Sequence, residues 1–423
     1  MMARLLIWQN VRKLKWRCLI LFVLALIVRG GLLATTQPDK LLTRWCPVCT
    51  DAVDYNQLAL NLLRTGQYTL NNQLVAERPP LYPLFIAGIY AIAGIENFFA
   101  VRVLQIILSV ITVLFISQIA NRLFGYLAAW IAGGMMAIYP FFVAYSIELY
   151  SETLFTFLLS AAAWLLFPYP DRTMPTIRVS IAGGMLVGLS GLTREIGLFL
   201  LPALTLWFWF SQKKILAQWL IITWLAAGLV VGMWTLRNYL TWGKFILITT
   251  HTFTNMIHSI VNENHYYLDG ASAKIPDIVP PTVENPFAYL GQVDQIAQEQ
   301  YSRDLVFSYC SVRPANCVIV WARNLAKLIS PVIEGKPIGV VLITSIAHLT
   351  VYFLGTWGLF KMSQTKEYSV VFFLLSWFAI CLIVNAIAHA EIRYRLPVVD
   401  PYLMIMASYP IIRLMAAPNL KVS

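Results

Sequence analysis

Nine charged residues have the types that hold a phosphate and move a proton: Asp54, Glu77, Arg78, Glu148, Glu152, Arg194, Arg237, Arg393 and Arg395. A guanidinium forks two N–H donors onto phosphate oxygens. A carboxylate accepts a proton or ligates a divalent metal. Each of the nine sits at the edge of an apolar run, where charge is costly unless it pairs or faces a polar cavity. Arg194-Glu195 is the sharpest case, because it interrupts GGMLVGLSGLTREIGLFLLP. The segment RYRLP, from Arg393 to Pro397, is the second. Basic groups, acidic groups and membrane depth are together what a lipid-linked phosphate requires. The plainer alternative, ordinary interfacial anchoring, is as good for Glu148 and Arg237.

The elements that must position these side chains are membrane helices. The 423 residues are 59% hydrophobic and only 12% charged, too few charges to cover a soluble globule of this length. The fold class expected is an all-α polytopic bundle of about ten spans. Residues 1–423 then form one integral membrane unit. The net charge of +11 implies no nucleic-acid partner, since short basic cytoplasmic loops account for part of it. No Gly-rich phosphate loop is present to mark a soluble nucleotide as the energy source.

Charge placement orients the spans. Arg4, Arg12, Lys13, Lys15 and Arg17 precede an apolar run that continues to about Ala34, as in a signal anchor with a cytoplasmic N-terminus. A first external loop, 36–97, follows. Its piece Leu81 to Gly94 reaches roughly 21 Å, short of the ~30 Å hydrocarbon core, and reads as half-inserted or re-entrant. With that piece not crossing, Arg122, Asp171, Arg172, Lys213, Lys214, Lys361, Lys366, Arg413 and Lys421 all fall inside. The charged candidates then gather at the outer face. A long external loop, 237–336, precedes the last three spans. It holds a polar helix from about Val293 to Ser308 and an amphipathic one from about Asn316 to Leu328, both expected on the membrane face. From Thr249 to Asn285 no pattern is readable.

The stretch Asp51 to Pro83 organises the rest. Asp54 to Leu63 reads as a short amphipathic helix ended by Gly66, and Arg78-Pro79-Pro80 fixes an extended approach to the next apolar segment. Cys18 and Cys381 read as core residues. Cys46 and Cys49 (CPVC), with Cys310 and Cys317, allow three disulfide pairings on an oxidising side. A CxxC also suits a redox pair or half a zinc site.

In order, DxxxYxxxAxNLLxxGxY (from Asp51), AERPPLYPLF, SIELYSE, GLTRE, RNYLTWGKF and RYRLP resemble the GT-C membrane glycosyltransferases. The branch they resemble is that of protein O-mannosyltransferases and aminoarabinose transferases, glycosyltransferase family 39. The resemblance runs to about Ala407. It implies an active-site acidic residue at Asp54, with Asp51 as its neighbouring competitor, and a second catalytic carboxylate at Glu152. It implies donor-phosphate contacts from Arg78, Arg194, Arg393 and Arg395. The metal position of some relatives matches Glu77, with His251 and His258 as alternative histidines, so a divalent ion is an open cofactor. Tyr82 and Tyr394 are candidate substrate contacts.

The function implied is inverting transfer of a sugar from a polyprenyl-phosphate donor. The acceptor is a lipid, glycan or protein on the extracytoplasmic face of a bacterial plasma membrane. Two other readings use the same charges: a transporter or flippase of a lipid-linked or anionic solute, and a scaffold that has kept the fold. Charge confined to one membrane half and the lack of an internal repeat weigh against the transporter. The intact set Asp54, Arg78, Glu152 and Arg194 weighs against the scaffold.

Overall fold

The computed structural model describes residues 2–41, 50–70, 73–167, 169, 176–211, 217–267, 294–333, 336–365 and 368–416. The described chain is helical apart from one antiparallel hairpin, β1 (Thr69–Leu70) with β2 (Gln73–Leu74), in which Thr69 pairs with Leu74. Among the described residues, five helical segments are long and apolar enough to cross a membrane: Trp16–Ala34 within α1 (Met2–Ala34), then Phe98–Phe124, Ala217–Trp242, Ile338–Ser363 and Tyr368–Ala388.

The helices between them follow in chain order. α2 is Thr50–Thr65, α3 is Leu81–Ala93 and α4 is the span Phe98–Phe124. α5 is Tyr126–Ile138, α6 Pro140–Tyr145, α7 Glu152–Leu166 and α8 Ile177–Thr193. A 3-10 turn, Glu195–Phe199, leads into α9, Leu200–Ser211, and α10 is the span Ala217–Trp242. α11 is Thr252–Tyr267, α12 Gln295–Val312 and α13 Pro314–Ile329. α14 is Ile338–Ser363, α15 Tyr368–Ala388, α16 Ile392–Arg395 and α17 Asp400–Ala416. Each of the ten apolar segments expected to span is therefore helical. Several are shorter than a full crossing or broken, one at Tyr139-Pro140 between α5 and α6 and one at the 3-10 turn before α9.

Sequence punctuation accounts for the boundaries. Asn97 caps α4 by accepting from the Ala100 N–H at 3.0 Å, and Gly125, at φ 86°, ends it. Asp294 caps α12 by accepting from the N–H groups of Ile296 and Ala297. α2 begins earlier than Asp54, and that moves Asp51 into its first turn. α3 has 13 residues, the short helix expected there.

Small residues let helices close on each other, as in lipid, where packing replaces the hydrophobic drive. On α8, a Cβ at Gly184 would meet the Thr223 carbonyl, and one at Gly188 would meet Val230 and the Ala227 carbonyl of α10. On α14, Gly355 and Gly358 face the Leu403 and Met406 carbonyls of α17 in the same way. Arg102 of α4 donates to the carbonyls of Ile147, Lys40 and Leu41 at 2.8, 2.8 and 3.1 Å, pinning the chain before α2 onto the bundle.

Two features depart from expectation. Residues of the stretch with no readable pattern form α11, which buries Ile257 and Ile260 against Leu305, Val306 and Tyr309 of α12. α12 and α13 run longer than expected and bend by 112° at Arg313. Cys310 and Cys317 form a disulfide across that bend, while Cys46 and Cys49 lie outside the described residues.

Candidate active site

Four separated segments deliver charged side chains to one end of the bundle. α2 carries Asp51, Asp54 and Tyr55 on its first turns. The strand exit after β2 carries Glu77 and Arg78. The break between α8 and the 3-10 turn leaves Arg194 extended (φ −153°, ψ 125°), so its side chain escapes the helix face. α16 carries Arg393 and Tyr394, and Glu391 precedes it as its N-cap residue.

The ion pairs interlock. Arg78 Nη2 sits 2.9 Å from Asp51 Oδ1 and 2.7 Å from Asp54 Oδ2. Arg393 Nη1 takes Asp51 Oδ2 at 2.7 Å, and its Nε takes Glu391 Oε2 at 2.5 Å. Arg194 Nη1 donates to Glu152 Oε1 at 2.6 Å. Aromatic faces lie against the guanidinium groups. Tyr394 lies 4.8 Å from Arg194 and 5.4 Å from Arg393, and Tyr150 lies 5.1 Å from Arg393.

These groups open on a cavity of about 180 Å³. Asp51, Glu77, Arg78, Arg194, Arg393 and Tyr394 line one part of it. Thr249, His251, Asn255, Asn385 and His389 also line it, adding amide, hydroxyl and imidazole groups. Burial alone would raise the Asp51 carboxyl; Arg78 and Arg393 outweigh it, so Asp51 is held below the usual carboxylate range. Burial raises Glu77 although Arg78 opposes it. Burial, then Arg78, pushes His251 down to about 4, so it is neutral at pH 7. Burial would raise Glu391, but hydrogen bonding to His389 and the charge of Arg393 bring it down to about 2.

The expected site residues divide into those brought together and those not. Arg78, Arg194, Arg393 and Tyr394 line the cavity, as do Glu77 and His251. Asp54 joins the ion network only through Arg78, and its side chain is 31% exposed against 15% for Asp51. Asp51 lines the cavity and Asp54 does not. Glu152 is buried beneath the cavity, and its Oε2 has no hydrogen-bond partner among the described residues.

Three expectations change. Arg395 is fully buried and turned away from the cavity, pairing with Asp400 and His348. Two residues of helix separate it from Arg393, a rotation of roughly 200° that sends the two side chains to opposite sides. Tyr82 is fully buried and donates to Gln105 Oε1 at 2.5 Å, so it does not reach the cavity. Among the described residues no three His, Cys, Asp or Glu side chains converge, so Glu77, His251 and His258 form no metal site. His258 lies farther along α11 and does not line the cavity.

Sequence reasoning missed Asn255, Asn385, His389 and Glu391. Glu391 had a signal, its position two residues before Arg393. Asn255 had none before α11 was known to be a helix. Arg237 follows the anchoring alternative: its guanidinium lies 4.7 Å from the Trp234 ring and 4.9 Å from the Trp242 ring.

Residues 77–241 match the family described as dolichyl-phosphate-mannose-protein mannosyltransferase. No curated protein matches the chain. The archaeal oligosaccharyltransferase AglB from Archaeoglobus fulgidus has been solved with an inhibitory peptide and a dolichol-phosphate. It superposes with a TM-score of 0.58 at 14% identity, over 96% of this chain and 51% of its own. The apo form of the Archaeoglobus fulgidus oligosaccharyltransferase gives 0.56 at 15% identity, over 96% and 52%. The chain thus spans about half the length of these oligosaccharyltransferases. ArnT from Cupriavidus metallidurans, bound to undecaprenyl phosphate, gives 0.47 at 13% identity, over 96% and 81%. The chain is a polytopic membrane protein that shares the fold of the archaeal oligosaccharyltransferase AglB, and its residues 77–241 match the family described as dolichyl-phosphate-mannose-protein mannosyltransferase.

Proposed function

We propose that the protein is an inverting glycosyltransferase that moves a hexosyl or pentosyl group from a polyprenyl-phosphate donor to a lipid, glycan or protein acceptor. The observation that carries this reading is the convergence of Arg78, Arg194 and Arg393 on one cavity with Asp51 between two of them. Three guanidinium groups suit a phosphate leaving group, and fixed donors stabilise charge as it develops there.

In the reaction, an acceptor hydroxyl or amine attacks the anomeric carbon and the bond from that carbon to the phosphate oxygen breaks. The electron pair leaves with the lipid phosphate, and the acceptor proton passes to a carboxylate. Asp51 fits that last role better than Asp54, because only Asp51 lines the cavity. At rest both Asp51 oxygens are clamped by arginines, which makes it a weak base. A donor phosphate competes for those same guanidinium groups and loosens the clamp. Glu152 holds Arg194 from below. Among the described residues no metal site is gathered, so no step is routed through a metal.

We place the cavity on the extracytoplasmic face of a bacterial plasma membrane. The Cys310–Cys317 disulfide supports that side, since disulfides persist in oxidising compartments. It lies on α12 and α13, and Gln295 of α12 accepts from the Ala76 N–H beside Glu77. The test is transfer by purified protein from a panel of radiolabelled polyprenyl-phosphate sugars into membrane extract. Asp51-dependent label in a new product supports the reading. Lipid translocation in proteoliposomes without transfer would replace it with a flippase.

A further inference from the structure

We propose that Arg395 is a positioning residue: with Asp400, His348 and Tyr139 it forms a buried lock that orients α16 so that Arg393 and Tyr394 enter the cavity. α16 is a single turn of four residues, too short to fix its own orientation by packing. Its other end needs an anchor, and Arg395 supplies one. Its Nη1 donates to the carbonyls of Leu328 and Ser330, the latter at 2.8 Å, and so binds the C-terminal end of α13. Its Nη2 meets His348 Nδ1 at 2.8 Å on α14, and its Nε lies 3.5 Å from Asp400 Oδ1 at the start of α17.

The chemistry of the lock is determinate. An arginine has no acceptor, so His348 Nδ1 must accept and the ring must be neutral with its proton on Nε2. That Nε2–H faces the Ile329 carbonyl at 3.1 Å. Tyr139, at the break between α5 and α6, donates to Asp400 Oδ2 at 2.8 Å. Arg395 and Asp400 are both fully buried, so no solvent can replace either partner. The ends of α13, α16 and α17 thereby meet the middle of α14 at one guanidinium, and none of these groups lines the cavity.

A bundle that needed only stability could fill this space with apolar side chains. A lock instead fixes direction, and the direction matters because Arg393 must reach Asp51 on α2 and Glu391 at once. The inference rests on the phosphate-binding reading of Arg393 for its affinity readout, and on hydrogen exchange for the rest.

The experiment uses full-length protein in detergent with Asp400→Asn and Tyr139→Phe, each alone and combined with Arg393→Gln. The probe is radiolabelled polyprenyl phosphate. The expected result is affinity about tenfold weaker in Asp400→Asn, less loss in Tyr139→Phe, and little further loss when Arg393→Gln is added, since coupled residues are not additive. Hydrogen exchange should quicken in residues 391–395 while α14 and α17 stay protected. A folded Asp400→Asn protein with unchanged affinity and unchanged exchange at 391–395, whatever its melting temperature, would overturn the lock. If the unmodified protein does not bind polyprenyl phosphate, the donor reading fails. The exchange pattern alone then decides the lock: quickening confined to 391–395 supports it, and none, or quickening spread through α14 and α17, overturns it.

Discussion

Arg393 and Asp51, 342 residues apart in the chain, are joined by a 2.7 Å ion pair that ties the segment before the last helix to the first turn of α2. The other oxygen of Asp51 belongs to Arg78 at 2.9 Å. This carboxylate is thus held from both sides at the wall of the cavity.

Asp51→Asn should abolish transfer, on the order of 10²–10⁴-fold, with the protein still inserted and monodisperse. Asp54→Asn should cost roughly tenfold or less, because Asp54 acts only through Arg78. Initial rates at saturating donor check both. The reverse ranking would restore Asp54 to the catalytic role.

Arg194→Ala should weaken donor binding more than acceptor binding. A charge-assisted hydrogen bond contributes about 1.5–3 kcal/mol, so donor KM should rise roughly 10- to 100-fold. Part of that loss would come from Glu152, left without its 2.6 Å partner in a buried position. Separate donor and acceptor titrations measure the asymmetry, and equal effects would count against a phosphate contact.

Much of this was legible in the sequence. Arg194 breaks an apolar run, and a charge at such a break has little choice but to face a cavity. Arg78 and Arg393 were marked by the proline-linked segments around them. Arg395 was misjudged because RYRLP gives no hint that residues two apart on a one-turn helix face opposite ways. Asp54 was set ahead of Asp51 on the family resemblance, which does not say which carboxylate faces the cavity; α2 begins at Thr50, and Asp51 lines the cavity. Asn255 and Asn385 were invisible, since a neutral amide becomes a site residue only through tertiary placement.

Stability should fall with pH through His251. Its folded-state value is about 4 against an ordinary 6.5, so as pH drops from about 6.5 to about 4 the unfolded state takes a proton that the folded state does not. Folding is therefore weakened across that window and the loss levels off below it. Glu77, raised by burial, works in the opposite direction above its ordinary 4.5. The clean measurement is the difference between the melting curves of the wild type and His251→Gln. That difference should shrink as pH falls from 7 to 4, and a pH-independent difference would show His251 to be unperturbed.

Gly358→Ala should destabilise the contact between α14 and α17. Its Cβ would strike the Met406 carbonyl, a backbone atom that cannot swing aside. Overpacking of this kind costs about 1–3 kcal/mol. Gly339, with nothing near its would-be Cβ, is the control. Thermal melts in detergent should separate the two, and equal melts would contradict the packing described.

The central claim is that Asp51 sits where the acceptor proton goes while three arginines hold the lipid phosphate. The most direct measurement is single-turnover transfer from radiolabelled polyprenyl-phosphate sugar by purified wild-type protein, Asp51→Asn and Asp54→Asn. The account predicts label in product with wild type, a much smaller loss in Asp54→Asn, and none above background in Asp51→Asn despite unchanged donor retention. Transfer by Asp51→Asn at near wild-type rate would contradict it.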